Sequence, residues 1–155
     1  MLHRVNLIYD DIVRVEPEVI DYLTKHSDSF SVIIEIKKPY SQMPPSFKYD
    51  IQLCPYVTEY IFYKKDWPVD FLGQLKHHIM AICRCCKGVR KELLQMPNIF
   101  LPIENDLPED ICFFRNGKLC FATISHEKMA FMPNPTNEDI RFLENHKIGF
   151  YKEIM

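Results

Sequence analysis

His77, His78, Cys83, Cys85 and Cys86 form the densest set of metal-ligating side chains in the chain. A zinc site needs ligand tips that converge, which on a helix means spacings of three or four residues. Only Cys83 and Cys86 meet that spacing. His78 and Cys85 share a side but stand seven residues apart, about 10 Å along a helix axis. The set therefore reads as packing, and no cofactor is expected. Cys83-Arg84-Cys85-Cys86 also contains a C-x-x-C, a redox pattern when a helix N-terminus lowers the thiol pKa. Placed in the middle of a helix, as the surrounding pattern suggests, it lacks that activation.

Ser125-His126-Glu127 brings together the three residue types of a hydrolytic relay. Neighbours along a strand point to alternate sides, so these three cannot serve one another. His126 could pair with a distant acid such as Glu104 or Asp106, but an exposed polar turn is the simpler reading. Asp10-Asp11 could open a carboxylate metal site and reads instead as a turn. Tyr60, Phe62, Tyr63 and Trp67 beside Lys64 and Lys65 could stack bases. They also describe a core edge with lysine stems laid over it, the reading preferred here. No P-loop, dinucleotide fingerprint, zinc-protease or nucleophile-elbow motif occurs. With four glycines in 155 residues, phosphate-cradling loops are poorly supported.

The element that must position most of these groups is the stretch Val69 to Gln95. Leu72, Leu75, Ile79, Ile82, Cys86, Val89 and Leu93 recur in steps of three and four, which predicts one long amphipathic helix. Lys76, Arg84, Lys87 and Lys91 fall together on its far side. Gly88 inside it would cost roughly 1 kcal/mol relative to alanine, and marks either a close backbone approach or a break in the helix. Pro97 ends it.

Around this rod the chain reads as strands and short helices. A first strand is predicted at Leu2, Val5, Leu7 and Ile8. Glu16-Pro17-Glu18 opens a helix that ends near His26. Ser31 to Lys37 is a β-branched strand. Tyr49 to Leu53 and Tyr56 to Tyr63 are strands split at Pro55, the second covered at least partly on both faces. Asn98 to Asp110 wraps the surface. Asn116-Gly117 closes a type I′ hairpin, because both residues must accept positive φ. That register pairs Phe114 with Leu119, Phe113 with Cys120 and Cys112 with Phe121, inside the sheet. Lys128 to Met132 adds a strand, and Thr136 or Asn137 caps a last helix. The expected fold is a single α+β domain, residues 1–155. A mostly antiparallel sheet of about five to seven strands packs on the long helix, with a short helix near each end.

Composition narrows the function classes. Nearly half the residues are apolar, with eleven Phe and eight Tyr, enough for a well-filled core. The net charge of −2 carries no nucleic-acid signature. Met1 to Tyr9 has no apolar signal region, and no apolar run approaches the ~18 residues that span a bilayer. The six cysteines are therefore expected to be reduced, in a cytoplasmic protein with no membrane partner. Charge is unevenly placed: residues 61–96 hold seven Lys/Arg against three Asp/Glu, whereas the flanking segments each hold six against nine.

These features suggest a small regulatory or toxin-neutralising domain that docks a protein partner. Its expected contact residues are Lys76, Arg84, Lys87 and Lys91, or the acidic Glu104, Asp106, Glu109 and Asp110. The basic surface depends on the rod. The alternatives are a metal protein or enzyme using the 77–86 cluster and His126, or a homo-oligomer subunit.

Overall fold

The computed structural model describes residues 3–35, 50–61, 78–102 and 108–154. In chain order the elements are β1 (His3–Leu7), α1 (Tyr9–Arg14), α2 (Glu16–His26), β2 (Ser29–Glu35), α3 (Asp50–Leu53), β3 (Val57–Ile61), β4 (His78–Arg84) and α4 (Lys87–Gln95). After them come β5 (Glu109–Arg115), β6 (Lys118–Ile124), β7 (Met129–Pro133), α5 (Asn137–Asn145) and β8 (Phe150–Ile154). The strands form one eight-stranded sheet in the order β3-β4-β2-β5-β6-β7-β1-β8. Each neighbouring pair is antiparallel. The fold is α+β as the pattern predicts, with one strand more than the range expected.

The single long helix does not exist. His78–Arg84 is a strand between β2 and β3, and only Lys87–Gln95 is helical. The reason lies in burial on both faces. Ile79, Ala81 and Cys83 join the helix-side core, while Met80 joins the cluster on the opposite face. A strand buried on both sides reads as a continuous apolar run, and such a run also satisfies helical spacing. Residues 69–77, with Leu72, Leu75, Lys76 and His77, lie outside the described residues. Among the described residues the helices longer than one or two turns are α2, of eleven residues, and α4 and α5, of nine each.

The helix α2 begins and ends where its acids, proline and His26 place it. Its buried Val19, Ile20 and Leu23 meet Phe30, Val32, Phe113 and Phe121 of the sheet. Ile12 of α1, Val89 and Leu93 of α4, and Phe142 and Leu143 of α5 complete that core. The other face carries Ile33, Met80, Cys112, Ala122, Ile124 and Phe131. No described helix contributes to that second cluster.

Asn116 and Gly117 take φ of 51° and 72°, as a type I′ turn requires. The register holds for Arg115 with Lys118 and Phe114 with Leu119, then shifts. Phe113 faces Phe121 and Cys112 faces Ala122, so Cys120 is an extra residue, a β-bulge. The bulge turns Phe121 onto the helix side with Phe113, instead of onto the Cys112 face that an unbroken ladder predicts. As expected, the hairpin lies inside the sheet.

Several local expectations are corrected. Asp50–Leu53 is a helical turn, not a strand. The strand β3 lies at the edge of the described sheet with Thr58, Glu59 and Tyr60 exposed, and its two faces are partly covered as expected, Val57 packing on the helix-side core and Ile61 on the opposite cluster. Asp10 and Asp11 form the first turn of α1, where carboxylates suit the positive end of the helix dipole. The segment after α4 does not simply wrap the surface: Ile99 and Phe100 are buried, Tyr9 donates its hydroxyl to the Phe100 carbonyl, and Glu109 and Asp110 begin β5. The strand β8, unforeseen, pairs with β1 along its length.

Candidate functional site

The turn from β4 into α4 gathers the residues that sequence spacing singled out. Arg84 ends the strand, and the Cys85 amide donates to the Asp28 carbonyl at 2.9 Å, fixing the turn. Cys86 is extended, with φ −158° and ψ 173°, and its carbonyl accepts the Arg90 amide at 3.0 Å as the helix begins. It is therefore the N-cap residue of α4 and not a member of a mid-helix stripe. The pair Cys83–Cys86 spans a strand end and a helix cap, with Cys83 fully buried.

The six thiols occupy different environments. Burial pushes the Cys86 thiol up, but the Val89 and Gly88 amides and the Arg84 guanidinium outweigh it and leave the thiol below its ordinary pKa. The sulfur closes no strict capping hydrogen bond, so this is an electrostatic effect of the helix end and the nearby cation. Burial raises Cys85 and Cys112 to about 12 each and raises Cys120 as well. An alkylating reagent at neutral pH should label Cys86 ahead of Cys85, Cys112 and Cys120, and Arg84→Ala should slow that labelling. Peptide mass mapping over a time course checks this; equal rates at Cys85 and Cys86 would contradict it.

Gly88 lies close against the Tyr56 ring. A Cβ there would sit 2.5 Å from the Tyr56 hydroxyl oxygen. The same Tyr56 ring carries the Arg84 guanidinium 5.7 Å from its centroid, a cation–π distance. Arg84, Tyr56 and the first turn of α4 thus form one packed corner.

Along α4 the buried and exposed residues separate cleanly. Val89 and Leu93 face the core. Lys87, Lys91 and Leu94 are exposed on the opposite side. Arg90 reaches Asp21 of α2 at 3.5 Å, which ties the two helices together. A shallow depression beside the helix is lined by Lys87, Gly88, Arg90, Lys91, Leu94 and Gln95.

Of the expected basic surface, the structure brings Lys87 and Lys91 onto one helix face. Arg84 lies on β4, exposed but turned toward Tyr56. Lys76 lies outside the described residues. Of the acidic set, Glu104 and Asp106 also lie outside them, and Glu109 is half-buried. Asp110 is buried at φ 51°, its carboxylate accepting the Ser125 amide at 2.7 Å and its own amide donating to the Ser125 hydroxyl at 3.2 Å. That pairing belongs to the interior of the sheet.

His126 is exposed in the turn Ser125–Glu127, with Glu127 at 3.8 Å. Ser125 turns inward to Asp110, so the three residues form no relay. Among the described residues no group of three or more His, Cys, Asp or Glu is placed to hold a metal ion. Phe62, Tyr63, Lys64, Lys65, Trp67 and His77 lie outside those residues. No described helix is long and apolar enough to cross a membrane. The six cysteines are free thiols.

Sequence spacing points to a close approach or a break at Gly88 but gives no sign of Tyr56 as the neighbour, of Cys86 as a helix cap or of Leu94 as an exposed apolar residue. The available signal was the break itself: Gly88 and the short distance to Pro97 allow a nine-residue helix to start after the cysteines. No protein-family model matches the chain, and no curated protein or solved structure matches it either.

Proposed function

We propose that this chain is a protein-binding domain that docks an acidic partner through the outward face of α4. The supporting observation is a local rule broken with no compensating ion pair among the described residues. Lys87 opens the helix, and the first turn contains no acid. A cation at the positive end of a helix dipole is unfavourable by a few tenths of a kcal/mol, and like charges one turn apart add a similar penalty. Neither Lys87 nor Lys91 forms an ion pair with another described residue. Exceptions of this kind cluster at functional surfaces. Carboxylates from a partner would relieve both penalties. A domain of this type acts by occupancy, as regulatory and toxin-neutralising proteins do.

The test combines binding with stability. Wild-type protein should bind a short Glu-rich peptide in a salt-sensitive way, with amide shifts concentrated on Lys87 to Gln95 in NMR spectra. Lys87→Glu/Lys91→Glu should weaken binding by at least about tenfold, because attraction becomes repulsion at two positions. Lys87→Glu alone should raise unfolding stability by about 0.3–1 kcal/mol, since an acid now faces the dipole and Lys91. A variant that lost both stability and binding would argue for a structural role of the lysine and against docking.

A further inference from the structure

Resting on that docking reading, the spacing along α4 also specifies the partner. Lys87, Lys91 and Leu94 lie within about 60° of one another around the axis, at 100° per residue. Their steps along it are about 6 Å and then about 4.5 Å. Leu94 is 41% exposed, in line with the two lysines and at the margin of the same depression. One exposed leucine is unremarkable by itself. Here it continues a row of charges that already requires a complement.

We infer that the partner segment is an amphipathic helix bearing two carboxylates one turn apart, followed within the next turn by an apolar residue that seats on Leu94. A helix repeats side chains on one face in steps of four and three, which reproduces the observed total of about 10.5 Å. An extended strand places same-side residues about 6.7 Å apart, so three in a row span about 13 Å and overshoot Leu94. Charge complementarity sets the carboxylates and the leucine sets their register. The long-stemmed lysines can flank the apolar contact and shield it from water.

Three synthetic peptides test this by fluorescence anisotropy. The first is helical with the pattern Glu-x-x-x-Glu-x-x-Leu, the second replaces that Leu by Ser, and the third is an extended Glu-x-Glu-x-Leu segment interrupted by proline. The leucine helix should bind wild-type protein about tenfold more tightly than the serine helix, the worth of one leucine-sized apolar contact. Leu94→Ser, on an exposed position, should abolish that difference. Equal binding of the two helices, or equal binding of the extended peptide, overturns the inference while the docking reading stands. Failure of all three to bind overturns both.

Discussion

Asp139→Ala should lower the unfolding free energy by about 3–5 kcal/mol, the largest loss expected from removal of a single charged group in the described residues. Asp139 is 2% exposed and holds four donors. The Arg115 guanidinium forks onto both carboxylate oxygens at 3.1 and 3.2 Å, the Tyr22 hydroxyl donates at 2.7 Å, and the Thr136 amide donates at 2.8 Å. Arg115 also donates through Nε to the His26 carbonyl at 2.6 Å. One carboxylate thus joins α2, β5 and α5, and alanine would strand a half-buried guanidinium and a phenol. The fork also resists substitution by a longer or neutral acceptor, because its two parallel bonds fix the distance.

The same group sets an acid limit. Burial pushes the Asp139 carboxyl up, but Arg115, Tyr22 and Thr136 outweigh it and hold the pKa below its ordinary value. A depressed folded-state pKa means that the folded protein binds a proton less readily than the unfolded chain. The contribution is therefore present above the ordinary carboxylate range and is lost as pH falls through the folded value. Denaturant unfolding at neutral pH and at about pH 3 checks both points. The acid-induced loss should be smaller in Asp139→Asn than in wild type. An unchanged midpoint for Asp139→Ala would show that the network contributes nothing.

Phe121→Ala should cost about 3–5 kcal/mol, because a fully buried ring leaves a cavity that the sheet cannot close. Its centroid lies 6.1 Å from Phe100 and 6.2 Å from Phe113, tilted or edge-on. Phe113 in turn lies 5.5 Å from Phe30. Such pairs add about 0.5–1.5 kcal/mol beyond buried area. The measurement also tests the bulge at Cys120, which alone places Phe121 on the helix side. A double-mutant cycle should show coupling between Phe121 and Phe113 and none with Leu119, whose side chain packs on the opposite cluster. Coupling to Leu119 instead would restore the unbulged register.

The signals that were legible in the sequence are local ones. Glu16-Pro17-Glu18 marks α2, and Asn116-Gly117 marks the hairpin, because proline and positive φ restrict the backbone over two or three residues. Thr136 caps α5 with a reciprocal pair, its hydroxyl receiving the Asp139 amide and Asp139 receiving the Thr136 amide. What escaped is decided by tertiary context. Ile79 and Ile82 carry no mark that separates a helix from a strand flanked by β2 and β3. The bulge at Cys120 has no residue signature, since cysteine fits either register.

The candidate site was legible to a similar depth. Lys87 and Lys91 share a face because they are one turn apart within a real helix. Arg84 was drawn onto that face only by the supposed rod. Asp110 looked like part of an exposed acidic run, and only the antiparallel ladder around it shows it facing Ser125. A mid-helix Cys86 would lack thiol activation, but the strand before it makes it the cap of α4.

The position of β1 between β7 and β8 has a kinetic consequence. Arg4 pairs with Pro133 on one side and Glu153 on the other. During translation β1 leaves the ribosome long before either neighbour exists, so it cannot be zipped up by adjacent turns. Closure of this part of the sheet waits for β7 and β8 and depends on a search across the long stretch of chain between them and β1. Pairings of such wide sequence separation slow folding, so the docking of β1 between β7 and β8 is expected to be a late step.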